Sequence, residues 1–575
     1  MKGDFFDALR AGAERVAVWA DLLDRINVFP VADGDTGRNL LISLLPLKSS
    51  ERDRSALIEK LFLSARGNSG NIAAQFFTGF LSCENEAKFP KLHDAVHRGT
   101  KQAWQAVANP RPGTILSVFD DLESSLKHVP MDDQGEWVSV VLKKLEGTVL
   151  KTARILPVLQ NANVVDAGAL GIFIFFDAFL HALYLRGPQF APLSATFKEH
   201  LSVREAWEAD VETGSCVDAV VRLKEGGKKV MEDLSLSGNS VVARENGDCI
   251  KIHIHTGDQS AIRDALSRGG SIIQWASDDL SAQTRAFSFR PLHQAVHIMT
   301  DAAGSITRDN ARHLGMTVLD SYIAIGTKDL PETYVDTADM YTAMAQGIRV
   351  TTSQASVFER YQHYEKILGL YNTALYLCVG SVYTGNYHAV MDWKSAHDPE
   401  DRLKVIDTGA ASGKLGLIAI ATAEHAATTT TAKEVSDFAL HAVAACEEYI
   451  FLDTLHFLAM GGRLSKTSAV FGDMLHLKPV VSPAPEGAKK VAVLRNRKDQ
   501  VAFAMEKLEN TIHSDAHPII MIEYTDNKEW TESGIAATVR KSFPYAEIIL
   551  QPFSLTTGAH TGPGTWGIAF LPSGS

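Results

Sequence analysis

Two acidic residues flank a glycine in the stretch Asn27–Leu40, NVFPVADGDTGRNL. Asp33 and Asp35 lie on either side of Gly34, so a tight turn there can point both carboxylates at one hard cation, which takes oxygen ligands. A helix predicted to begin near Thr36 would direct free backbone N–H groups to the same place. A cation site beside an anion site indicates a nucleotide phosphate bridged by Mg²⁺. The alternative is an Asx-type turn that only caps the helix.

The composition is that of an ordinary globular protein. The chain has 575 residues, 45% of them hydrophobic, and a net charge of −12, and its length predicts about three or four domains. The negative charge disfavours nucleic-acid binding and adhesion to an anionic membrane. No apolar run approaches about 18 residues, so stable membrane insertion is not expected. The start lacks the apolar core of a signal peptide, and five scattered cysteines fit a cytoplasmic location.

Residues 1–190 carry helical apolar spacing and few strand patterns, which predicts an all-α bundle or barrel. The predicted helices are Asp7–Leu23, Arg54–Leu63, Ala73–Cys83, Leu92–Ala108, Ile115–Leu126, Trp137–Leu156 and Ala169–Leu185. Several turns that open helices would let backbone N–H groups approach a nucleotide. Their residues are Gly67, Asn68, Ser69, Gly70, Gly113, Thr114 and Asp166. The alternative for the Gly67–Gly70 turn and for Asp166 is an ordinary helix cap.

The first acidic stretch and three later ones closely resemble the dihydroxyacetone-kinase-like (DhaL) family. The later stretches are SARGNSGN at 64–71, RPGTIL at 111–116 and NVVDAGALG at 163–171, in the family's order. The resemblance implies a barrel of antiparallel amphipathic helices that binds ATP at one end. It also implies that Asp33 and Asp35 hold Mg²⁺, with Asn27 near the place of a third ligand. Ala32 and Arg38 depart from the family's usual residues.

Residues 200–288 predict a small α/β domain that follows a linker at 187–197. The predicted strands are Ser240–Ala243 and Cys249–His255, and the predicted helices are Val217–Glu225 and Ser260–Arg268. Because side chains on a strand repeat every two residues, His253 and His255 share one face. A paired histidine face suits a metal, and the alternative is an exposed polar face.

This region resembles the middle domain of two-component bacterial fatty-acid kinases. The resemblance implies a zinc-type site made by one cysteine and two histidines. Cys216 in GSCVDAVV matches the place of that cysteine. Cys216, His253 and His255 are therefore a candidate Zn²⁺ site, with a fourth ligand unassigned.

Residues 292–575 predict an α/β domain with a largely parallel sheet. The predicted strands are Ala295–Met299, Ala374–Val379, Leu403–Ile406, Pro518–Ile522 and Glu547–Leu550, with an antiparallel pair around Pro483–Gly487. Polar donors fall at strand or loop ends, where hydroxyls and a guanidinium would hold a carboxylate. They are Thr352, Ser353, Ser381, Thr384, Arg463 and His560. The alternatives are turn or cap roles for the hydroxyls, a surface ion pair for Arg463 and a solvated loop histidine for His560.

The same region resembles the DegV family of fatty-acid-binding proteins. The motifs are TTSQAS at 351–356, VGSVYTGNY at 379–387, FLDTLHFLAMGGRLSK at 451–466 and HTGPGTWG at 560–567. The resemblance implies a fatty acid in an apolar tunnel, with its carboxyl group held by Thr352, Ser381, Arg463 and His560. The opening TDAAGSIT departs from the family's usual start, which puts a role for Asp301 in doubt.

Together the resemblances imply ATP-dependent phosphorylation of a fatty acid, with a DhaL-like kinase and a DegV-like carrier in one chain. Asp33 and Asp35 would hold Mg²⁺, while Arg463 and His560 would orient the carboxylate. The acyl phosphate product would be the substrate of a downstream acyltransferase, and transfer within one chain or across a homodimer are both compatible with the sequence. The alternatives are a kinase for a small dihydroxyacetone-type substrate and a non-catalytic lipid-binding protein.

Overall fold

The computed structural model forms two compact units, Met1–Phe289 and Arg290–Ser575. It describes residues 3–82, 92–107, 110–128, 136–185, 190–208, 213–225, 227, 239–287, 294–326, 328–429, 431–460, 477–513 and 516–572. The first unit contains the helical region and the middle α/β region. The second unit contains the C-terminal α/β region.

The helical region of the first unit packs its helices around an aromatic-rich core that includes Phe76, Phe119 and Phe176. The helices are α1 (Phe5–Arg25), α2 (Thr36–Leu44), α3 (Arg54–Ser64), α4 (Gly67–Leu81), α5 (Leu92–Gln105), α6 (Ile115–His128), α7 (Glu136–Ile155), α8 (Pro157–Ala162), α9 (Ala167–Tyr184) and α10 (Leu193–Thr196). The predicted all-α region is therefore present, and α2 begins at the residue the sequence indicated.

Helix α9 contradicts the expectation that no apolar run reaches the length of a membrane span. Its 18 residues have a mean hydropathy of 1.7 and would suffice by length and composition, but 89% of them are buried within the protein. Its one acidic residue, Asp177, is fully buried and forms an ion pair with Arg15 of α1. The apolar character of α9 is therefore that of a core helix, because it packs against other helices on most of its surface.

The middle region is an antiparallel sheet of order β2-β3-β1-β4. Its elements are β1 (Ser215–Leu223), β2 (Asn239–Asn246), β3 (Cys249–Thr256), α11 (Gln259–Gly269), β4 (Gly270–Asp279) and α12 (Leu280–Phe287). One face packs on α11 through Ile250, Ile252 and Ile254. The helix predicted at Val217–Glu225 is wrong. Residues 217–223 lie on β1, where pairing with both β3 and β4 outweighs the local helical spacing.

The second unit begins with a parallel sheet of order β11-β10-β5-β6 and a smaller sheet of order β8-β7-β9. The strands are β5 (His297–Asp301), β6 (Thr317–Leu319), β7 (Ser321–Ile325), β8 (Lys328–Pro331), β9 (Val350–Gln354), β10 (Ala374–Cys378) and β11 (Leu403–Asp407). The helices that accompany them are α13 (Arg308–Leu314), α14 (Thr337–Ala345), α15 (Val357–Leu370), α16 (Asn386–His397), α17 (Ser412–Thr428) and α18 (Ala432–Ala445).

A further sheet, of order β14-β13-β12-β17-β15-β16, completes the second unit. Its strands are β12 (Glu447–Phe451), β13 (Lys478–Ala484), β14 (Gly487–Leu494), β15 (Ile519–Tyr524), β16 (Glu547–Pro552) and β17 (Trp566–Leu571), and the helices are α19 (His456–Met460), α20 (Arg497–Thr511), α21 (Lys528–Trp530), α22 (Ala537–Ser542) and α23 (Leu555–Thr561). The predicted hairpin β13–β14 is present. The prediction of a largely parallel sheet fails here, because β15–β16 is parallel whereas the other pairings are antiparallel.

Candidate functional site

The acidic turn folds as the sequence predicted. Gly34 adopts a left-handed φ of 64° between the two aspartates, and Asp35 is the N-cap residue of α2. The Asn27 side-chain amide donates a hydrogen bond to Asp33, and the Thr36 hydroxyl donates to Asn27 Oδ1 at 2.8 Å. Asn27, Asp33 and Thr36 therefore form one connected polar group, and Asp35 adjoins it at the start of α2.

The electrostatics of this turn favour a bound cation. Desolvation raises the pKa of Asp33 well above its ordinary value, and the negative charge of Asp35 raises it further. Desolvation also raises the pKa of Asp35. Two neighbouring carboxylates in low-dielectric surroundings are costly to ionise without an opposite charge. The arrangement of donors and charge therefore fits Mg²⁺, which binds through carboxylates together with substrate phosphates.

The starts of four helices meet beside the acidic turn. Ser69, in the first turn of α4, lies 3.5 Å from the Thr36 hydroxyl at the start of α2. A Cβ atom built on Gly168 of α9 would lie 3.2 Å from Ser69 Oγ and 3.3 Å from Cβ of Ile115, the first residue of α6. Helix starts carry unpaired N–H groups and a partial positive charge. Their convergence makes one end of the helical region suitable for a polyphosphate.

The glycines at the start of α4 serve close helix packing. A Cβ atom on Gly67 would lie 2.0 Å from Asn39 Nδ2, and one on Gly70 would lie 2.1 Å from Ser43 Oγ. The backbone N–H of Gly67 donates to a carboxylate of the middle region rather than standing free. Of the predicted phosphate-binding turn, Ser69 faces the acidic turn directly.

The predicted nucleotide contacts Gly113, Thr114 and Asp166 have local capping roles in the structure. The Thr114 hydroxyl donates to the carbonyl of Arg111 at 2.8 Å, and the Gly113 N–H donates to Ser117 Oγ at 2.9 Å. Asp166 is the N-cap residue of α9 and accepts from the Ala169 N–H at 2.7 Å. Burial raises the pKa of Asp166 to about 7.

The predicted metal ligands of the middle region come together. Strand β1 pairs with β3 so that Cys216 lies opposite His255. Ligand atoms of Cys216, His253 and His255 all lie within 4.8 Å of one another, and the three residues are buried. The Nε2 atom of His253 has no hydrogen-bond partner among the described residues. The pairing of β1 with β3 therefore brings Cys216 close to the two histidines, which sequence spacing alone could not establish.

The donor set fits zinc. Burial lowers the pKa of His255 to about 3, which keeps its imidazole neutral and able to bind a metal. Burial raises the pKa of the Cys216 thiol, and nearby carboxylates including Asp218 raise it further. One thiol and two imidazoles are the ligand types of tetrahedral zinc sites, and a bound cation would favour the thiolate.

Sequence reasoning missed Asp218, which lies on β1 opposite His253. Its Oδ1 atom is 3.3 Å from His253 Nδ1, and its Oδ2 atom accepts the Gly67 N–H at 3.2 Å. Burial opposes ionisation of Asp218, but its interaction with the neighbouring His253 lowers the pKa to about 2. The signal was its position two residues after Cys216, which puts both residues on one face once the segment is read as a strand.

The predicted carboxylate-binding residues of the second unit are partly brought together. Thr352 on β9 has its hydroxyl 3.3 Å from Nε2 of His560 on α23. Ser353 is exposed and points to the other face of β9. The Ser381 N–H donates to Asp407, and Thr384 accepts from the Asn386 N–H, so both residues stabilise the loop between β10 and α16. Arg463 lies outside the described residues.

Asp301, whose role the sequence left in doubt, lies in the core. It is 1% exposed and accepts hydrogen bonds from Tyr376, the Val379 N–H and Asn386. Arg360 forms an ion pair with it at 3.3 Å. Asp301 therefore ties β5 to β10 and α16 rather than facing a ligand.

Family models match three successive parts of the chain. Residues 30–181 match the DAK2 domain, residues 212–287 match the FakA-like middle domain of fatty acid kinases, and residues 295–573 match the uncharacterised DegV family. The chain therefore combines a DhaL-like domain, a FakA-like middle domain and a DegV domain. The helical, middle α/β and C-terminal α/β regions confirm the predicted fold classes. The domain content is that of a fatty-acid kinase-like architecture joined to a DegV domain.

Individual relatives cover parts of the chain. It is 28% identical to protein YloV of Bacillus subtilis over 353 residues, which is 55% of this chain and 64% of that protein. It is 28% identical to an uncharacterised protein of Staphylococcus saprophyticus over 49% of this chain and 55% of that protein. The chain thus spans less than two thirds of these relatives. A crystal structure of DegV, a fatty acid binding protein from Bacillus subtilis, is 19% identical with a TM-score of 0.45, over 49% of this chain and all of that one.

Proposed function

We propose that this protein transfers the γ-phosphate of ATP to the carboxylate of a fatty acid. The supporting observation is the meeting of Asp33 and Asp35 with the starts of α2, α4, α6 and α9, which suits a metal-bound polyphosphate. The DegV domain supplies the acceptor, held at its carboxyl group by Thr352 and His560. Ser381 and Arg463 would complete that site.

The reaction is an in-line displacement at phosphorus. A carboxylate oxygen attacks the γ-phosphorus, the bond from that phosphorus to the β,γ-bridging oxygen breaks, and ADP leaves with the electron pair. Mg²⁺ held by Asp33 and Asp35 would neutralise charge on the phosphates. The carboxylic acid is already ionised at neutral pH, so the protein supplies no general base. Positioning by helix starts and hydroxyl donors does most of the catalytic work.

Thr352 and His560 would orient the attacking oxygen and offset the charge that the carboxylate carries. A neutral or protonated imidazole can donate from Nε2, and the Thr352 hydroxyl can donate beside it. Hydrogen bonds to a charged group are stronger than neutral ones. The acyl phosphate would then serve a downstream acyltransferase, after transfer within one chain or across a homodimer.

Release of ADP from Mg-ATP by the full-length protein, measured with different acceptors, tests this function. A long-chain fatty acid should stimulate ADP release, whereas dihydroxyacetone should not. Stimulation by dihydroxyacetone alone would identify a small-substrate kinase. Lack of stimulation by either acceptor, with fatty acid still bound, would identify a non-catalytic lipid-binding protein.

A further inference from the structure

Asp218 connects the middle domain with the helical domain at the start of α4. It lies on the β1 face that also carries Cys216, and its side chain is 12% exposed. On the neighbouring strand β3, Lys251, His253 and His255 lie two residues apart and therefore share one face. The Lys251 ammonium donates to the carbonyl of Leu63 at the end of α3 at 2.9 Å. This face of the sheet is therefore directed at the helices that adjoin the acidic turn.

The Asp218 carboxylate contacts groups from both domains. Its Oδ2 atom accepts the Gly67 N–H at 3.2 Å, and its Oδ1 atom accepts from Asn71 Nδ2 at 3.3 Å and lies 3.3 Å from His253 Nδ1. The Asn71 amide also donates to the Gly67 carbonyl at 2.7 Å. Asp218 thus fixes the first turn of α4 from one side, while Ser69 of that turn faces Thr36 on the other.

Asp218 lies beside the candidate metal ligands without being one of them. The group of ligand atoms close enough to hold one ion consists of Cys216, His253 and His255 in the described chain. A carboxylate that accepts a hydrogen bond from a ligating histidine orients the imidazole, and losing it typically costs about 10–100-fold in metal affinity. Asp218 has the position of such a carboxylate, with the addition that its other oxygen holds Gly67.

We propose that Asp218 is a positioning residue that links metal binding at Cys216, His253 and His255 to nucleotide binding at the start of α4. A metal on the imidazole fixes His253, which fixes Asp218 and, through it, the turn at Gly67. Each ligand then favours the conformation that the other binds, so the two affinities increase together. Thermodynamic linkage requires the same factor in both directions. The inference rests on the proposed nucleotide role of this turn.

Hydrogen exchange on the full-length protein tests the link without nucleotide. Zn²⁺ alone, added to metal-free protein, should slow exchange at residues 67–71 in the wild type. In Asp218→Asn, which keeps the shape but loses the charge, Zn²⁺ at saturation should leave exchange there unchanged. No slowing in the wild type, or equal slowing in the variant, would overturn the proposal. The wild-type arm needs no variant, so a folding defect in Asp218→Asn does not prevent the test.

Measuring the affinity for each ligand with and without the other tests whether the two sites affect each other equally. The dissociation constant of a non-hydrolysable ATP analogue with Mg²⁺ should fall by about fivefold or more when Zn²⁺ is bound, and the Zn²⁺ constant should fall by the same factor when the analogue is bound. Asp218→Asn should remove this factor and weaken Zn²⁺ binding by about tenfold or more. The control is Asp248→Asn, which removes an exposed carboxylate paired with Arg222 in the same domain. Equal coupling in Asp218→Asn and the control would contradict the link, whereas absence of analogue binding would contradict the proposed function instead.

Discussion

The side-chain amide of Asn27 donates a hydrogen bond to Asp33, and the oxygen of the same side chain accepts a hydrogen bond from the Thr36 hydroxyl. A residue before the acidic turn therefore orients both a candidate metal ligand and the first residue of α2. This connection would let a short loop hold a cation and a phosphate side by side, as the proposed function requires. It also places Asn27 as an orienting residue for Asp33.

Asp35→Asn should abolish phosphoryl transfer and leave fatty-acid binding intact. Removing a metal-binding carboxylate loses several kcal/mol of charge stabilisation, which corresponds to about a thousandfold or more in kcat. Turnover and retained lipid are measured on the same preparation. Asp7→Asn, which removes an exposed carboxylate on α1, is the control. Wild-type turnover in Asp35→Asn would refute the role of this residue in metal binding.

Cys216→Ala should lose the zinc expected in the purified protein, because the thiolate would be one of the three proposed ligands. Elemental analysis after desalting gives the metal content per chain. Cys249→Ala is a matched control, since Cys249 lies on β3 but hydrogen-bonds to Asp248 away from the cluster. Wild-type protein without zinc, or zinc retained in Cys216→Ala, would show that these residues do not form the site.

Thr352→Val should weaken fatty-acid binding by about 10–100-fold, because a hydrogen bond to a charged group contributes about 1.5–3 kcal/mol. Valine preserves the shape of threonine and the strand propensity of β9. Ser353→Ala is the control, since Ser353 is exposed on the other face of the same strand. Titration with a fluorescent fatty acid measures both. Equal fatty-acid affinities in the two variants would show that Thr352 does not hold the carboxylate.

Asp166 should make the stability of the protein depend on pH. Its pKa rises from 3.8 to about 7 on folding because of burial. Well below pH 3.8 it is protonated in both states. As the pH rises towards 7 the unfolded chain ionises first, so this residue favours unfolding by up to about 4 kcal/mol. Asparagine keeps a capping side chain but does not ionise. The stability of Asp166→Asn relative to the wild type should therefore increase as the pH rises from about 5 to about 8.

Calorimetric unfolding of the full-length wild type and variants at both pH values measures this difference. Asp4→Asn is the control, because Asp4 is an exposed N-cap residue whose pKa is lowered mainly by its hydrogen bond with Arg52. The stability of Asp4→Asn relative to the wild type should not increase as the pH rises. A constant difference between Asp166→Asn and the wild type at both pH values would show that Asp166 does not titrate in this range on folding.

Local features of the site were predictable because they depend on neighbouring residues. The Asp33-Gly34-Asp35 turn, the start of α2 and the shared face of His253 and His255 follow from turn and strand geometry over a few residues. The spacing of apolar residues likewise identified most helices of the first unit. These features need no knowledge of which distant segments meet.

Features that depend on long-range pairing were not predictable. Asp218 meets Gly67 across 151 residues of sequence because this face of the sheet packs on the helical region. Asp218 lies opposite His253 because β1 pairs with β3 in one register. Val217–Glu225 has helical spacing, yet its two neighbouring strands decide its conformation. The antiparallel pairings of β12 and β17 depend in the same way on strand order, which local patterns do not encode.

Phosphorylation of a fatty acid by this protein is tested first by extracting lipid from the purified protein and identifying it by mass spectrometry. Mg-ATP and hydroxylamine are then added to the same preparation, because hydroxylamine traps an acyl phosphate as a hydroxamate. If the protein is a fatty-acid kinase, a bound fatty acid should be found and should become a hydroxamate only when ATP is present. A bound fatty acid that yields no hydroxamate with ATP would contradict that activity.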